Sequence, residues 1–147
     1  LAKQLALFIT MYSPLQMAAD LPENYEKHLD AFQFIVDVPV DWDDTNILEA
    51  EPGDYITVAR KQKGKDNWFV GAITDENSRI VNLDFSFLKP GNKYEATIYR
   101  DAEDAHWDTN PEAYIIEKKT VTNKTKLKIL LAKSGGCAIS LFETKVK

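Results

Sequence analysis

The stretch from Tyr12 to Tyr25, Tyr-Ser-Pro-Leu-Gln-Met-Ala-Ala-Asp-Leu-Pro-Glu-Asn-Tyr, constrains the fold more than any other part of the chain. It joins an apolar run of helical spacing, Leu1 to Tyr12, to a second such run, Glu23 to Val38. Pro14 ends the first run, because it lacks the backbone donor and pushes Ser13 out of α space. Leu15 to Ala19 is short and mostly apolar, the composition of a buried parallel strand, although periodicity alone does not separate it from a helical turn. Asp20 and Glu23 have capping-box spacing, and Pro22 suits a first helical turn. Helix, break, short strand, loop and helix form the unit from which α/β barrels are built, with sites at the C-terminal ends of the strands. One unit does not close a barrel, and after about residue 45 the pattern changes.

In the first run Leu1, Leu5, Phe8, Ile9 and Tyr12 share one side, while Ala2, Ala6, Leu7 and Met11 occupy the other. A helix apolar nearly all round is a buried helix. A chain of 147 residues offers little to bury it, so the sequence reads as the last corner of a larger body. It begins at Leu1 with no charged segment, apolar segment and small-residue cleavage site in succession, which reads as a piece cut from a longer chain. The second run is expected to bury Leu29, Phe32, Ile35 and Val36 and to expose Glu26, Lys27, His28, Asp30 and Gln33. Pro39 stops it, and Pro39 to Asn46 reads as a linker.

Beyond the linker the period becomes two. Tyr55 to Lys61, Trp68 to Ile73, Val81 to Phe85, Tyr94 to Ile98, Ala113 to Val121, Leu127 to Leu131 and Cys137 to Phe142 read as strands separated by Gly, Pro and Asn turns. So many short strands with close turns predict an antiparallel sandwich or barrel. The expected fold is therefore mostly β with N-terminal helices. Residues 1–45 would be the last helix–strand–helix elements of a barrel, and 46–147 an antiparallel β-sandwich. Ile56, Val58, Val81, Leu83, Ile98, Ile129 and Leu131 are the predicted core of the second part.

Composition narrows the function. The net charge is −5 and no basic block is longer than two or three residues, which argues against a nucleic-acid surface. No apolar run is long enough for a membrane helix. The single cysteine, Cys137, rules out an internal disulfide or a cysteine zinc site, and its apolar neighbours suggest a buried, inert thiol. Two histidines without surrounding motifs support no nucleophilic triad, and no glycine-rich phosphate loop occurs. Asp41, Asp43, Asp44 and Asn46 lack the Gly and Glu of a calcium loop, so side-chain bonds to local backbone N–H groups are expected instead. Asp101 to Asn110 reads as a solvated acidic loop with one packed Trp, and no metal site is assigned anywhere. Trp68 reads as core. Trp42 reads as an anchor at the linker, and both Trp42 and Trp107 are candidates for stacking on sugar rings.

The segments Leu1–Leu7, Tyr12–Tyr25 and Phe32–Trp42 resemble the end of the catalytic domain in glycoside hydrolase family 97. Gly53-Asp54-Tyr55, Trp68 to Asn77 and Ile98-Tyr99-Arg100-Asp101 resemble that family's C-terminal β domain. The resemblance spans essentially the whole chain in order, with a fainter echo of the eighth strand of family 27 α-galactosidases. It implies a bacterial, often periplasmic parent that removes terminal α-linked glucose or galactose and often needs calcium. It also implies a β-sandwich and a (β/α)₈ barrel upstream, which supply the catalytic carboxylates and calcium ligands; no catalytic residue, metal or cofactor is carried over to this chain. If Leu15 to Ala19 is the last barrel strand, Asp20 and Glu23 would lie at the catalytic face and line the sugar site. The alternative is helix capping by Asp20, with Glu23 favoured by the helix dipole. The implied partners are the rest of the barrel and an oligosaccharide substrate, with self-association as a further expectation. The competing readings are a non-catalytic carbohydrate-binding module and a domain that packs on another subunit.

Overall fold

Strands 68–74 and 136–144 carry apolar side chains on both faces, and the architecture is built around them. The computed structural model describes residues 1–144. Three helices come first: α1 (Ala2–Thr10), α2 (Pro22–Tyr25) and, after a 3₁₀ turn at Glu26–His28, α3 (Leu29–Asp37). The strands are β1 (Trp42–Glu51), β2 (Tyr55–Gln62), β3 (Trp68–Thr74), β4 (Arg79–Asp84), β5 (Lys93–Asp101), β6 (Tyr114–Val121), β7 (Lys126–Leu131) and β8 (Gly136–Thr144). Six form an antiparallel sheet in the order β1-β2-β3-β8-β5-β6, and β4 pairs with β7 in a second, two-stranded sheet.

The large sheet is covered on both faces, which gives an antiparallel sandwich with helices on its outer side. Toward β4 and β7 it presents Trp68, Val70 and Ala72 of β3, Tyr94, Ala96 and Ile98 of β5, and Cys137, Ile139 and Leu141 of β8. These meet Val81, Leu83, Ile129 and Leu131. Toward the helices it presents Val58, Phe69, Tyr99 and Ala138, which meet Leu5, Ala6, Ile9, Ala31 and Phe34. Strands buried on both faces read as continuous apolar runs, as β3 and β8 do. Six of the seven predicted core residues are buried; Ile56 is half-buried and packs on the helical side.

Helix α1 lies close on the sheet because glycines leave room beneath it. A Cβ on Gly71 would lie 2.7 Å from the Ala6 carbonyl oxygen, and one on Gly136 would lie 2.7 Å from the Lys3 Cα. The buried face is Ala2, Leu5, Ala6 and Ile9. Phe8 is only partly covered and Tyr12 is exposed, so the expected face is rotated toward the small residues that allow close approach. The Arg60 guanidinium donates to the Ile9 carbonyl at 2.7 Å and satisfies one of the last helical acceptors.

Three expectations are corrected. Leu15–Ala19 is irregular and exposed, not a strand. Among the described residues no strand lies alongside to take its backbone groups, and Ser13 takes them locally: its hydroxyl donates to the Leu15 carbonyl at 2.6 Å and accepts from the Leu15 N–H at 3.2 Å. The second helix is broken by the 3₁₀ turn, whose three residues per turn shift the phase of α3. Ala31 and Phe34 therefore face the sheet, with Phe34 edge-on to Phe69 and Tyr99, while Leu29 and Val36 are exposed. The linker is shorter than expected, since β1 already starts at Trp42.

Candidate functional site

The segment between β5 and β6 is tied back on itself. His106 and Asn110 exchange backbone hydrogen bonds at 3.1 and 3.0 Å. The Asn110 amide donates to the Asp104 carboxylate at 3.0 Å, and His106 Nδ1 accepts from the Asp108 and Thr109 N–H groups at 3.3 and 3.4 Å. These bonds hold Trp107 at the tip, 60% exposed, with its ring stacked 5.7 Å from that of His106. The tryptophan expected to be packed is therefore presented to solvent. The segment is fastened to α1 where the Leu1 nitrogen donates to the Pro111 carbonyl at 2.7 Å.

Asp101, expected in a solvated loop, is buried. Its carboxylate accepts the Ala132 and Gly136 N–H groups at 3.0 and 2.9 Å and so joins the end of β5 to the β7–β8 turn. Burial pushes its carboxyl above the usual range against the pull of those two N–H groups. A signal was present in the sequence: strict alternation through β5 puts Asp101 on the same face as buried Thr97 and Tyr99.

On the helical side, Asp20 stands just before α2. Its Oδ1 accepts the Leu21 N–H at 2.7 Å and the Asn24 amide at 2.6 Å, and the Asn24 Oδ1 accepts from Lys27 Nζ at 3.0 Å. The Asn24 amide and the Leu21 N–H hold the Asp20 carboxyl below its ordinary value. The N-cap is Leu21 and makes no side-chain bond, so the expected capping box does not form. Asp20 lies one residue too early for it and organises the Asn24 side chain instead.

These pieces surround one open cleft of about 840 Å³. Its floor is α1 with Ala31, Phe32 and Ile35, and its rim carries Asp20, Asn24, Lys27, His106, Trp107, Asn110 and Glu112. Of the four residues picked from the sequence, Asp20 and Trp107 line this cleft together, whereas Glu23 and Trp42 do not. Glu23 is exposed in the first turn of α2. The Trp42 ring packs edge-on against Phe69 at 5.8 Å, the anchoring role at the start of the sheet. Trp68 is buried against Phe87.

His28, expected on an exposed face, is half-buried at the edge of the cleft. Its Nδ1 is 3.3 Å from the Tyr114 hydroxyl, which donates to Asp30 at 2.7 Å, and its Nε2 is 3.9 Å from Glu112. Burial and the bond to Asp30 push the Tyr114 phenol up to about 12, and that same bond holds the Asp30 carboxyl down. The set joins the helical segment to β6. Asp41 and Asp44 accept from the adjacent N–H groups of Trp42 and Thr45, as expected, but Asp43 accepts from the Gly64 N–H, 21 residues away, and Asp43 and Asp44 lie in strand β1 rather than in a turn. Among the described residues no three His, Cys, Asp or Glu side chains converge to hold a metal ion.

The cleft's Asp20 carboxylate is engaged by N–H donors and its aromatic platform faces solvent, an arrangement suited to binding by stacking and hydrogen bonds. Sheet and helices define an antiparallel β-sandwich domain with a helical face of its own. Residues 41–142 match the family model described as "Glycosyl-hydrolase 97 C-terminal, oligomerisation", and the chain belongs to glycoside hydrolase family 97 as that C-terminal domain. It is 39% identical over 140 residues to the retaining alpha-galactosidase of Bacteroides thetaiotaomicron, covering 95% of this chain and 20% of that protein. It superposes with a TM-score of 0.95, at 46% identity, on a family 97 enzyme from a Pseudoalteromonas species solved in complex with acarbose, covering 98% of this chain and 22% of that one. A beta-arabinopyranosidase at 23% identity shares the fold, with a TM-score of 0.74. The chain thus spans about one fifth of the length of the relatives it matches.

Proposed function

We propose that this chain is the C-terminal part of an exo-acting, periplasmic glycoside hydrolase that removes terminal α-linked galactose or glucose. Within that enzyme it has a structural and accessory role, and the catalytic carboxylates and calcium ligands belong to the rest of the protein. The observation that carries this reading is the two-faced helical segment. One side is buried on the sheet, while Met11, Tyr12, Leu15, Met17, Leu21, Leu29 and Val36 remain exposed on residues that precede the family match at 41–142. Exposed apolar patches of this kind mark interaction surfaces, and a larger barrel body would cover them. Galactose is supported by the name of the Bacteroides relative, and glucose by the Pseudoalteromonas enzyme, also solved with panose, a glucose trisaccharide.

The test is hydrolysis of nitrophenyl α-galactoside and α-glucoside by the full-length protein and by residues 1–147, each with calcium and with chelator. Turnover is expected from the full-length protein only, weakened by the chelator. Turnover by residues 1–147 alone would overturn the assignment of catalysis to the rest of the enzyme.

A further inference from the structure

Residues 118–133 hold six lysines and no Asp or Glu, in a chain whose net charge is −5. Period two sorts them. Val81, Leu83, Ile129 and Leu131 point into the sandwich, so Ile80, Asn82, Asp84, Lys126, Lys128 and Leu130 point out of it. The pairing of β4 with β7 sets these outward side chains in rows: Ile80 beside Leu130, Asn82 beside Lys128, and Asp84 beside Lys126. Ile80 and Leu130 are 58% and 50% exposed. Lys126 and Lys128 are exposed, and so is Lys124 in the turn that leads into β7. Asp84 pairs with Lys126 at 3.1 Å, whereas among the described residues Lys124 and Lys128 have no salt-bridge partner. Beside Lys128 lies a groove of about 380 Å³, lined also by Arg100, Glu117 and Lys119. Arg100 and Lys119 each bond one oxygen of Glu117, at 2.6 and 2.8 Å, so the groove keeps a net positive charge.

We infer that this outer face of the β4–β7 sheet docks on an anionic lipid bilayer. The chemistry selects that occupant. Lysines at alternate positions of a strand stand about 7 Å apart, and a row of amines on a flat face suits a plane of phosphates. Ile80 and Leu130 are aliphatic and offer no ring for a sugar to stack on. Side chains of this kind gain by dipping into the acyl boundary while neighbouring amines meet the headgroups. An acidic polymer would use the lysines and leave Ile80 and Leu130 in water. The face lies across the six-stranded sheet from the helical segment, so docking there does not compete with a barrel packed on residues 1–40. Each lysine near such a surface contributes about fivefold in affinity. A patch of this size therefore gives reversible, salt-sensitive binding and no permanent anchor. The inference does not depend on which sugar the parent cleaves.

The probe is vesicles of phosphatidylglycerol and phosphatidylcholine in equal parts, sedimented with the full-length protein. Binding is expected to these vesicles and not to phosphatidylcholine alone, and it falls as salt is raised. The double change Lys124→Gln and Lys128→Gln weakens it about 25-fold, and Ile80→Ser with Leu130→Ser weakens it about tenfold. Lys118→Gln, on the strand face turned toward the helices, leaves it nearly unchanged. The lysine variants change exposed side chains and are expected to keep the parent melting temperature. Equal binding to neutral vesicles, or unchanged binding by the Lys124 and Lys128 variant, overturns the proposal. Acetylation of lysines in the unsubstituted full-length protein, read by peptide mapping, supplies a measurement that needs no variant. Lys124 and Lys128 are expected to react freely alone and to be protected by the anionic vesicles. Protection without vesicles would mean that another part of the protein covers this face, and overturns the proposal. Binding of alginate or polyglutamate through the same lysines, with no binding to vesicles, would assign the face to an acidic polymer and also overturns it.

Discussion

Ile9 of α1 sits over Gly71 of β3 so closely that a Cβ at position 71 would lie 2.8 Å from the Ile9 Cβ. No rotamer change relieves that contact, because the Ala6 carbonyl oxygen is equally near at 2.7 Å. Gly71→Ala must therefore lift the helix off the sheet or distort β3. Overpacking of this kind costs about 1–3 kcal/mol, and the loss is expected in urea unfolding of residues 1–147. The variant also loosens Leu5 and Ile9, which hydrogen exchange along α1 reports. Unchanged stability and unchanged protection would show that the helix floats free of the sheet.

Asp101→Ala leaves the Ala132 and Gly136 N–H groups without their acceptor. Unsatisfied buried donors cost about 1–3 kcal/mol. Asp101→Asn retains one acceptor oxygen and is expected to cost less. The pH dependence comes from the raised carboxyl. Between its unfolded and its higher folded pKa the native state binds more protons, so this group's contribution to stability falls as pH rises through that window. The stability gap between parent and Asp101→Asn therefore narrows as pH rises from the ordinary carboxylate range, measured by urea unfolding across acidic pH. A gap that widens over that range would refute the burial argument.

The strands are legible in the sequence because alternation and turn residues agree with each other. Tyr94, Ala96 and Ile98 point one way and Tyr99 and Asp101 the other, as period two dictates. Leu15 to Ala19 has the composition of a buried strand, but a strand also needs neighbours for its backbone groups, and the described residues supply none. Leu29 and Val36 are misplaced by a regular helical pattern because one 3₁₀ turn shifts the phase of the helix after it, and nothing in the residue types of Glu26–His28 announces that turn. In the cleft, Asp20 and Trp107 stand out in the sequence as polar and aromatic residues at element ends. That both line one cleft is a long-range outcome of the fold, which local pattern does not encode.

Cys137 is 1% exposed on β8, and burial pushes its thiol up, far from the thiolate that reacts. Ellman's reagent at neutral pH is expected to find no reactive thiol in the folded chain and one in urea. Rapid labelling in the absence of denaturant would mean that the β3–β8–β5 centre of the sandwich opens.

The exposed apolar side chains on residues 1–40 predict how residues 1–147 behave alone. Leu15, Met17 and Leu21 are 73%, 76% and 66% exposed, and Met11 and Leu29 add to them. Burying a large apolar side chain is worth roughly 1.5–3 kcal/mol. Water therefore favours any contact that covers several at once, although association also costs on the order of 4–15 kcal/mol in lost freedom. The balance predicts weak, concentration-dependent self-association through this face. Light scattering is expected to show the apparent mass rising with concentration. The triple change Leu15→Ser, Met17→Ser and Leu21→Ser is expected to hold it at one chain. These side chains contribute little to the folded core, so the triple variant should keep its melting temperature. In the full-length enzyme the rest of the chain would cover the same residues, and there the triple change should lower the melting temperature. A monomeric parent chain at every concentration, or a triple variant that destabilises residues 1–147, would show that this face does not work as an unpartnered seam.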